Sequence, residues 1–125
     1  MKAKSLFVIG MMMFLMMAFH PKSHAQSPQD WKLINTVKNV SIYYEQGTCS
    51  TAGVLFLKMI NNNSQPVTVD WSLWDDGVFK KIQLAANETL TGACKNQLRL
   101  YTLIEFIPKN KSAGDIRPMI KVTDL

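Results

Sequence analysis

The run Val67–Trp74 (VTVDWSLW) constrains this chain more than any other feature. Side chains on a strand alternate between two faces, and here the alternation is complete. Val67, Val69, Trp71 and Leu73 point one way; Thr68, Asp70, Ser72 and Trp74 point the other. A helix would scatter both sets around its circumference. The run ends in Asp75-Asp76-Gly77, turn chemistry in which glycine takes positive φ without steric cost. The chain is therefore expected to return antiparallel over Val78–Leu84 (VFKKIQL).

Other segments follow the same grammar. Trp31–Val37 (WKLINTV) puts Trp31, Leu33 and Val37 on one face, and Lys38-Asn39 turns the chain. Val40, Ile42 and Tyr44 then alternate with Ser41, Tyr43 and Glu45, until Gln46-Gly47-Thr48 breaks the pattern ahead of Cys49. Ala52–Ile60 (AGVLFLKMI) is apolar on both parities, as a central strand covered on both faces would be. A helix competes for such a run, but its Val, Phe and Ile and its short length favour strand. Asn61–Pro66 carries turn chemistry. Ala85–Thr89 turns again, and Leu90–Cys94 is a short strand with Gly92 at a bulge. Leu98–Ile107 (LRLYTLIEFI) reads as the longest late strand, Pro108–Gly114 as a loop. Asp115–Thr123 is a final strand held to an edge by Pro118. Seven to eight strands without a stripe at helical spacing predict an all-β antiparallel sandwich.

Residues 1–25 read as a secretory signal peptide. Lys2 and Lys4 precede the apolar run Leu6–Phe19, and a polar stretch ends in Ser23-His24-Ala25, with small residues at both positions flanking His24. The apolar run falls short of the roughly 20 residues that a bilayer span needs. Cleavage after Ala25 is expected to leave a flexible tail, residues 26–30, and a single domain, residues 31–125, secreted or periplasmic and without a membrane span. Lys2, Lys4 and Lys22 leave with the signal, so the net charge falls from +5 to about +2. Both histidines, His20 and His24, leave too. The processed domain then has no imidazole for nucleophile activation or metal ligation, and no strongly basic footprint for nucleic acid.

Cys49 and Cys94 remain. In an oxidising compartment a disulfide is the leading expectation, with two buried thiols as the alternative. Chain entropy makes a bridge over this interval worth about 4 kcal/mol. A nucleophilic role would lack an activating base.

The stretches VLFLKMINNNSQPVTVDW and IQLAANETLTGAC, within Val54–Cys94, resemble small secreted immunoglobulin-like β-sandwich proteins of uncharacterised function. The resemblance implies a sandwich and names no activity. The antibody-type core positions are not matched: Trp71 lies 22 residues beyond Cys49, and position 92, two before the second cysteine, is Gly.

For chemistry, Asp70 and Glu105 sit mid-strand. They are the carboxylates from which a minimal hydrolase would have to be built; the ordinary reading is two solvent-facing strand positions. Asp75-Asp76-Gly77 with Asp70 offers too few oxygens for a Ca²⁺ site and lacks EF-hand spacing, so no metal or other cofactor is expected. Lys80 and Lys81 point to opposite faces of a strand and form no single patch. Asn39-Val40-Ser41, Asn62-Asn63-Ser64 and Asn87-Glu88-Thr89 match N-x-[ST] and mark surface turns. Trp74 shares the polar parity and ends beside Asp75 and Asp76, while Tyr43 sits with Ser41 and Glu45. Exposed aromatics beside acidic or amide groups suit sugar stacking or a protein-interface anchor. Trp74, Asp75, Asp76 and Tyr43 are thus the candidate binding residues of a non-catalytic exported module recognising a protein or glycan. The alternatives are a small hydrolase inhibitor acting through Asn61–Pro66 or Pro108–Gly114, and the Asp70/Glu105 hydrolase.

Overall fold

The computed structural model describes residues 30–95 and 97–125. The signal peptide expected over residues 1–25, and tail residues 26–29, lie outside that range. Among the described residues eight strands are present: β1 (Lys32–Val37), β2 (Val40–Cys49), β3 (Ala52–Asn61), β4 (Val67–Ser72), β5 (Lys80–Leu84), β6 (Thr89–Thr91), β7 (Ile104–Phe106) and β8 (Met119–Asp124). A five-residue helix, α1 (Leu98–Thr102), precedes β7, and a 3-10 turn (Ala113–Asp115) precedes β8. The strands form two antiparallel sheets, as the alternation predicts. The first runs β1-β2-β3, with β6 and β7 both on the free side of β3; the second runs β5-β4-β8.

The core lies between the sheets. Val67, Val69, Trp71 and Leu73 face inward and are fully buried, opposite Val40, Ile42, Leu55, Leu57 and Met59. At about 25 cal/mol per Å² of apolar area removed from water, this interface is the main source of stability. β3 is covered on its other face as well, since Val54 is also buried. This accounts for its apolar residues on both parities. The Lys38-Asn39 turn forms with both residues at positive φ.

The Leu98–Ile107 strand does not form as a single element, and the reason is long-range. β6 and β7 lie end to end along β3: Lys58 pairs with Thr91 and Phe56 with Ile104. Leu57 serves both, because its carbonyl accepts from Gly92 N–H at 2.8 Å and its N–H donates to the Leu103 carbonyl at 2.9 Å. The described residues between Gly92 and Leu103 are therefore shut out of the ladder. Their backbone must pair locally, and part of the excursion coils into α1, with Thr102 Oγ1 donating to the Leu98 carbonyl. Gly92 is required at the neck. A Cβ there would sit 2.4 Å from the Leu103 carbonyl oxygen.

Four further expectations are corrected. A bulge between Leu33 and Asn35 shifts the β1 register, so Ile34 joins Val37 against the core while Leu33 is exposed. The β2 ladder continues through Gln46-Gly47-Thr48 to Cys49; Gly47 serves there because the Phe56 ring lies where its Cβ would be. The return strand starts at Lys80, leaving Val78 and Phe79 exposed in a loop longer than a tight hairpin. In that loop the Asp76 carboxylate accepts from Val78 N–H and the Ser72 hydroxyl. The short strand near Gly92 ends at Thr91, before Cys94.

Candidate functional site

The Cys49–Cys94 disulfide is formed, with Cα atoms 5.7 Å apart. It joins the end of β2 to the excursion between β6 and β7. Cys49 belongs to the first sheet and Cys94 to a connection between two strands of that same sheet, whereas the immunoglobulin bridge crosses between sheets. Cys49 has the parity of Tyr43 and Glu45, the face of β2 turned away from the core. The excursion is thereby drawn over the outer face of the first sheet, and Cys94 lines a groove on either side of it.

The smaller groove, about 250 Å³, is lined by Trp31, Glu45, Phe56 and Thr91 together with Gly92–Cys94. Next to it the Lys58 ammonium sits 4.9 Å from the Trp31 ring centroid and 5.1 Å from that of Tyr43. A cation held against two ring faces ties these three side chains into one cluster.

The larger groove, about 530 Å³, is lined by Cys49, Ser50, Cys94, Lys95, Gln97, Leu98, Tyr101 and Phe106. Its apolar wall is open to water: Leu98 is 84% exposed, Tyr101 45% and Phe106 48%. Tyr101 and Phe106 meet edge to face, with centroids 6.3 Å apart. The wall is held from behind. Leu100 packs on the core, and the Arg99 guanidinium makes two bonds of 2.6–2.7 Å to the Glu88 carboxylate and one of 2.7 Å to the Gln83 carbonyl. The Arg99 hydrogen bonds hold the Glu88 carboxyl at about 2, well below its ordinary 4.5.

Of the residues expected to bind, only Tyr43 lies on this face, half-buried. Trp74 is 7% exposed. Past the last β4–β8 pair, Ser72↔Met119, strand parity no longer governs the chain. There Arg117 N–H binds the Leu73 carbonyl at 2.7 Å, Trp74 pairs with Arg117 in a parallel bridge, and Ala113 and Ile116 pack onto the core. Asp75 and Asp76 are exposed in the neighbouring loop, without an exposed Trp74 to complete a platform.

Asp70 and Glu105 do not face each other. Glu105 is buried between the sheets, not solvent-facing, and accepts from Trp71 Nε1 at 2.8 Å. Asp70 precedes Trp71 on β4 and so points out of the opposite face, where Lys81 Nζ lies 3.7 Å away. Burial pushes the Glu105 carboxyl upward, opposed by Lys80 Nζ at 3.8 Å and by the Trp71 bond. Trp74 Nε1 is buried beside this carboxylate and favours its charged form, yet it falls outside hydrogen-bond geometry. Lys80 also donates to the Ile104 carbonyl at 2.8 Å. Trp71, Lys80 and Glu105 thus form a polar tie inside the sandwich.

Among the described residues no group of three or more His, Cys, Asp or Glu is placed to hold a metal ion, and no helix is long and apolar enough to cross a membrane. No family model, curated protein or solved structure matches this chain.

Proposed function

We propose that the chain is an exported non-catalytic interaction module that recognises a protein or glycan at the cell envelope or outside the cell. The recognition surface is the outer face of the first sheet on either side of the disulfide. The observation that carries the reading is the exposed wall of Leu98, Tyr101 and Phe106. Exposed aromatic and aliphatic side chains gathered round one groove are what interface anchors require. Export rests on the leader sequence of residues 1–25 and agrees with a formed disulfide. Cofactors have no part in the reading.

The test uses protein secreted from the full-length sequence by an export-competent host. Its N-terminus should begin at Gln26. Wild type and Tyr101→Ser are compared on a glycan array and in pull-downs from envelope fractions. Loss of a wild-type partner in Tyr101→Ser, with the melting temperature retained, supports the surface. Identical profiles for the two proteins count against it.

The inhibitor reading also has a specific observation in its favour. The Asn61 side chain is buried and braces the Asn61–Pro66 loop: its amide donates to the Gln65 and Ala85 carbonyls, and its oxygen accepts from Asn63 N–H and Nδ2. A loop so preorganised loses little freedom on docking. Inhibition of secreted hydrolases by the wild type, abolished by substitutions at exposed Ser64 and Gln65, would favour this second reading.

A further inference from the structure

We infer that the larger groove beside the disulfide takes an extended peptide segment bearing an apolar anchor next to a carboxylate. The inference rests on the interaction-module reading and narrows it to one class of partner. Volume is the first consideration. About 530 Å³ accommodates one large side chain and the backbone on either side of it.

The second consideration is the character of the wall. Leu98 presents an aliphatic branch, and Tyr101 meets Phe106 at an interplanar angle of 60°. Two rings set edge to face form a notch for an inserted side chain rather than a flat stacking platform for a sugar ring. Charge is the third. Among the described residues Lys95 is the one charged residue lining the groove, and no acidic residue lines it. Among the described residues Lys95 has no ion pair: the salt bridges belong to Lys80, Lys81 and Arg99. A carboxylate on the incoming segment would complement it, setting register and speeding association. Rigidity is the fourth. The disulfide fixes one side of the groove, and the Arg99–Glu88 clamp fixes α1 on the other. The site is formed before binding, so little ordering cost falls on the protein.

The experiment selects random linear peptides displayed on phage against the full-length-derived secreted protein. Enriched sequences are then synthesised with a fluorophore and titrated. Expected are peptides with Leu, Phe or Trp close to Asp or Glu. Their affinity should fall about tenfold or more in Leu98→Ser/Tyr101→Ser, fall several-fold in Lys95→Glu, and weaken as salt rises. Thr123→Ala, at an exposed position on β8 of the second sheet, should leave it unchanged. Leu98 is almost wholly exposed and Tyr101 nearly half, so the double variant should melt close to wild type. If it does not, Lys95→Glu, also at an exposed position, carries the test alone. Enriched peptides lacking an acidic residue, or binding both variants as tightly as wild type, overturn the inference. If no peptide is enriched while a glycan is bound by wild type and lost in the double variant, the peptide class is wrong and the interaction-module reading stands. If neither ligand class binds, both fall.

Discussion

Replacing Gly92 with Ala probes the device that creates the site. Gly92 does not need the left-handed region; among the described residues the positive-φ glycine is Gly77. Any cost must therefore come from space. The new Cβ would lie 2.4 Å from the Leu103 carbonyl oxygen and 2.9 Å from its carbonyl carbon, both backbone atoms. Relief requires the neck of the excursion to open by roughly 1 Å, at the expense of the 2.8 and 2.9 Å bonds through which Leu57 holds Gly92 and Leu103. Overpacking of this kind costs about 1–3 kcal/mol, and weakening one of those bonds adds about 1 kcal/mol. The expected total is about 2–4 kcal/mol. For a domain of this size that is a fall in melting temperature of the order of 10–25 °C. Gly47→Ala is the internal control. Its Cβ would meet the rim of the Phe56 ring, which can swing aside, so a smaller loss is expected. Urea and thermal unfolding followed by circular dichroism measure both. A Gly92→Ala protein within about 0.5 kcal/mol of wild type would refute the end-to-end placement of β6 and β7.

Other consequences can be read from single sites. Replacing Cys49 and Cys94 together by Ser removes a closed loop of sequence separation 45, with an expected loss of about 4 kcal/mol in urea unfolding. Asn61→Ala removes four hydrogen bonds at a fully buried side chain; about 2–4 kcal/mol is expected, together with faster proteolysis within Asn61–Pro66. Glu88 is lowered by Arg99 to about 2 from 4.5. Its contribution is therefore fully present above pH 4.5 and is lost as the pH falls toward 2. Arg99→Ala should flatten the melting-temperature profile across that window. Glu105, raised by burial, acts with the opposite sign, stabilising at low pH and less so as the pH rises, so the comparison with Arg99→Ala isolates Glu88.

Legibility in the sequence followed the range of the forces involved. The inward set Val67, Val69, Trp71 and Leu73 was readable because strand parity is local. The double-sided cover of β3 was readable from apolar residues on both parities. The disulfide followed from two cysteines behind an N-terminal stretch that reads as a signal peptide. By contrast, LRLYTLIEFI alternates well enough to be a strand throughout, and nothing local says that Gly92 and Leu103 both bind Leu57. Trp74 was misplaced because parity was carried past the last ladder pair, to a point where a segment some 40 residues away covers it. Glu105 looked like a surface carboxylate because its partners, Trp71 and Lys80, are remote in sequence. The groove wall did leave a faint signal. Gly92-Ala93-Cys94-Lys95-Asn96-Gln97 is turn-rich, and a cysteine within it tethers whatever follows, so Leu98 and Tyr101 had a chance of being displayed rather than buried.

Hydroxyl-radical footprinting of the oxidised protein, free and then saturated with a selected acidic peptide, tests the central claim most directly. In the free protein Leu98, Tyr101 and Phe106 should label strongly, while Trp71 and Trp74 should stay dark. With peptide bound, protection should fall on those three residues and spare Asn61–Pro66. Strong labelling of Trp74 in the free protein, or protection confined to the Asn61–Pro66 loop in the complex, would contradict the account.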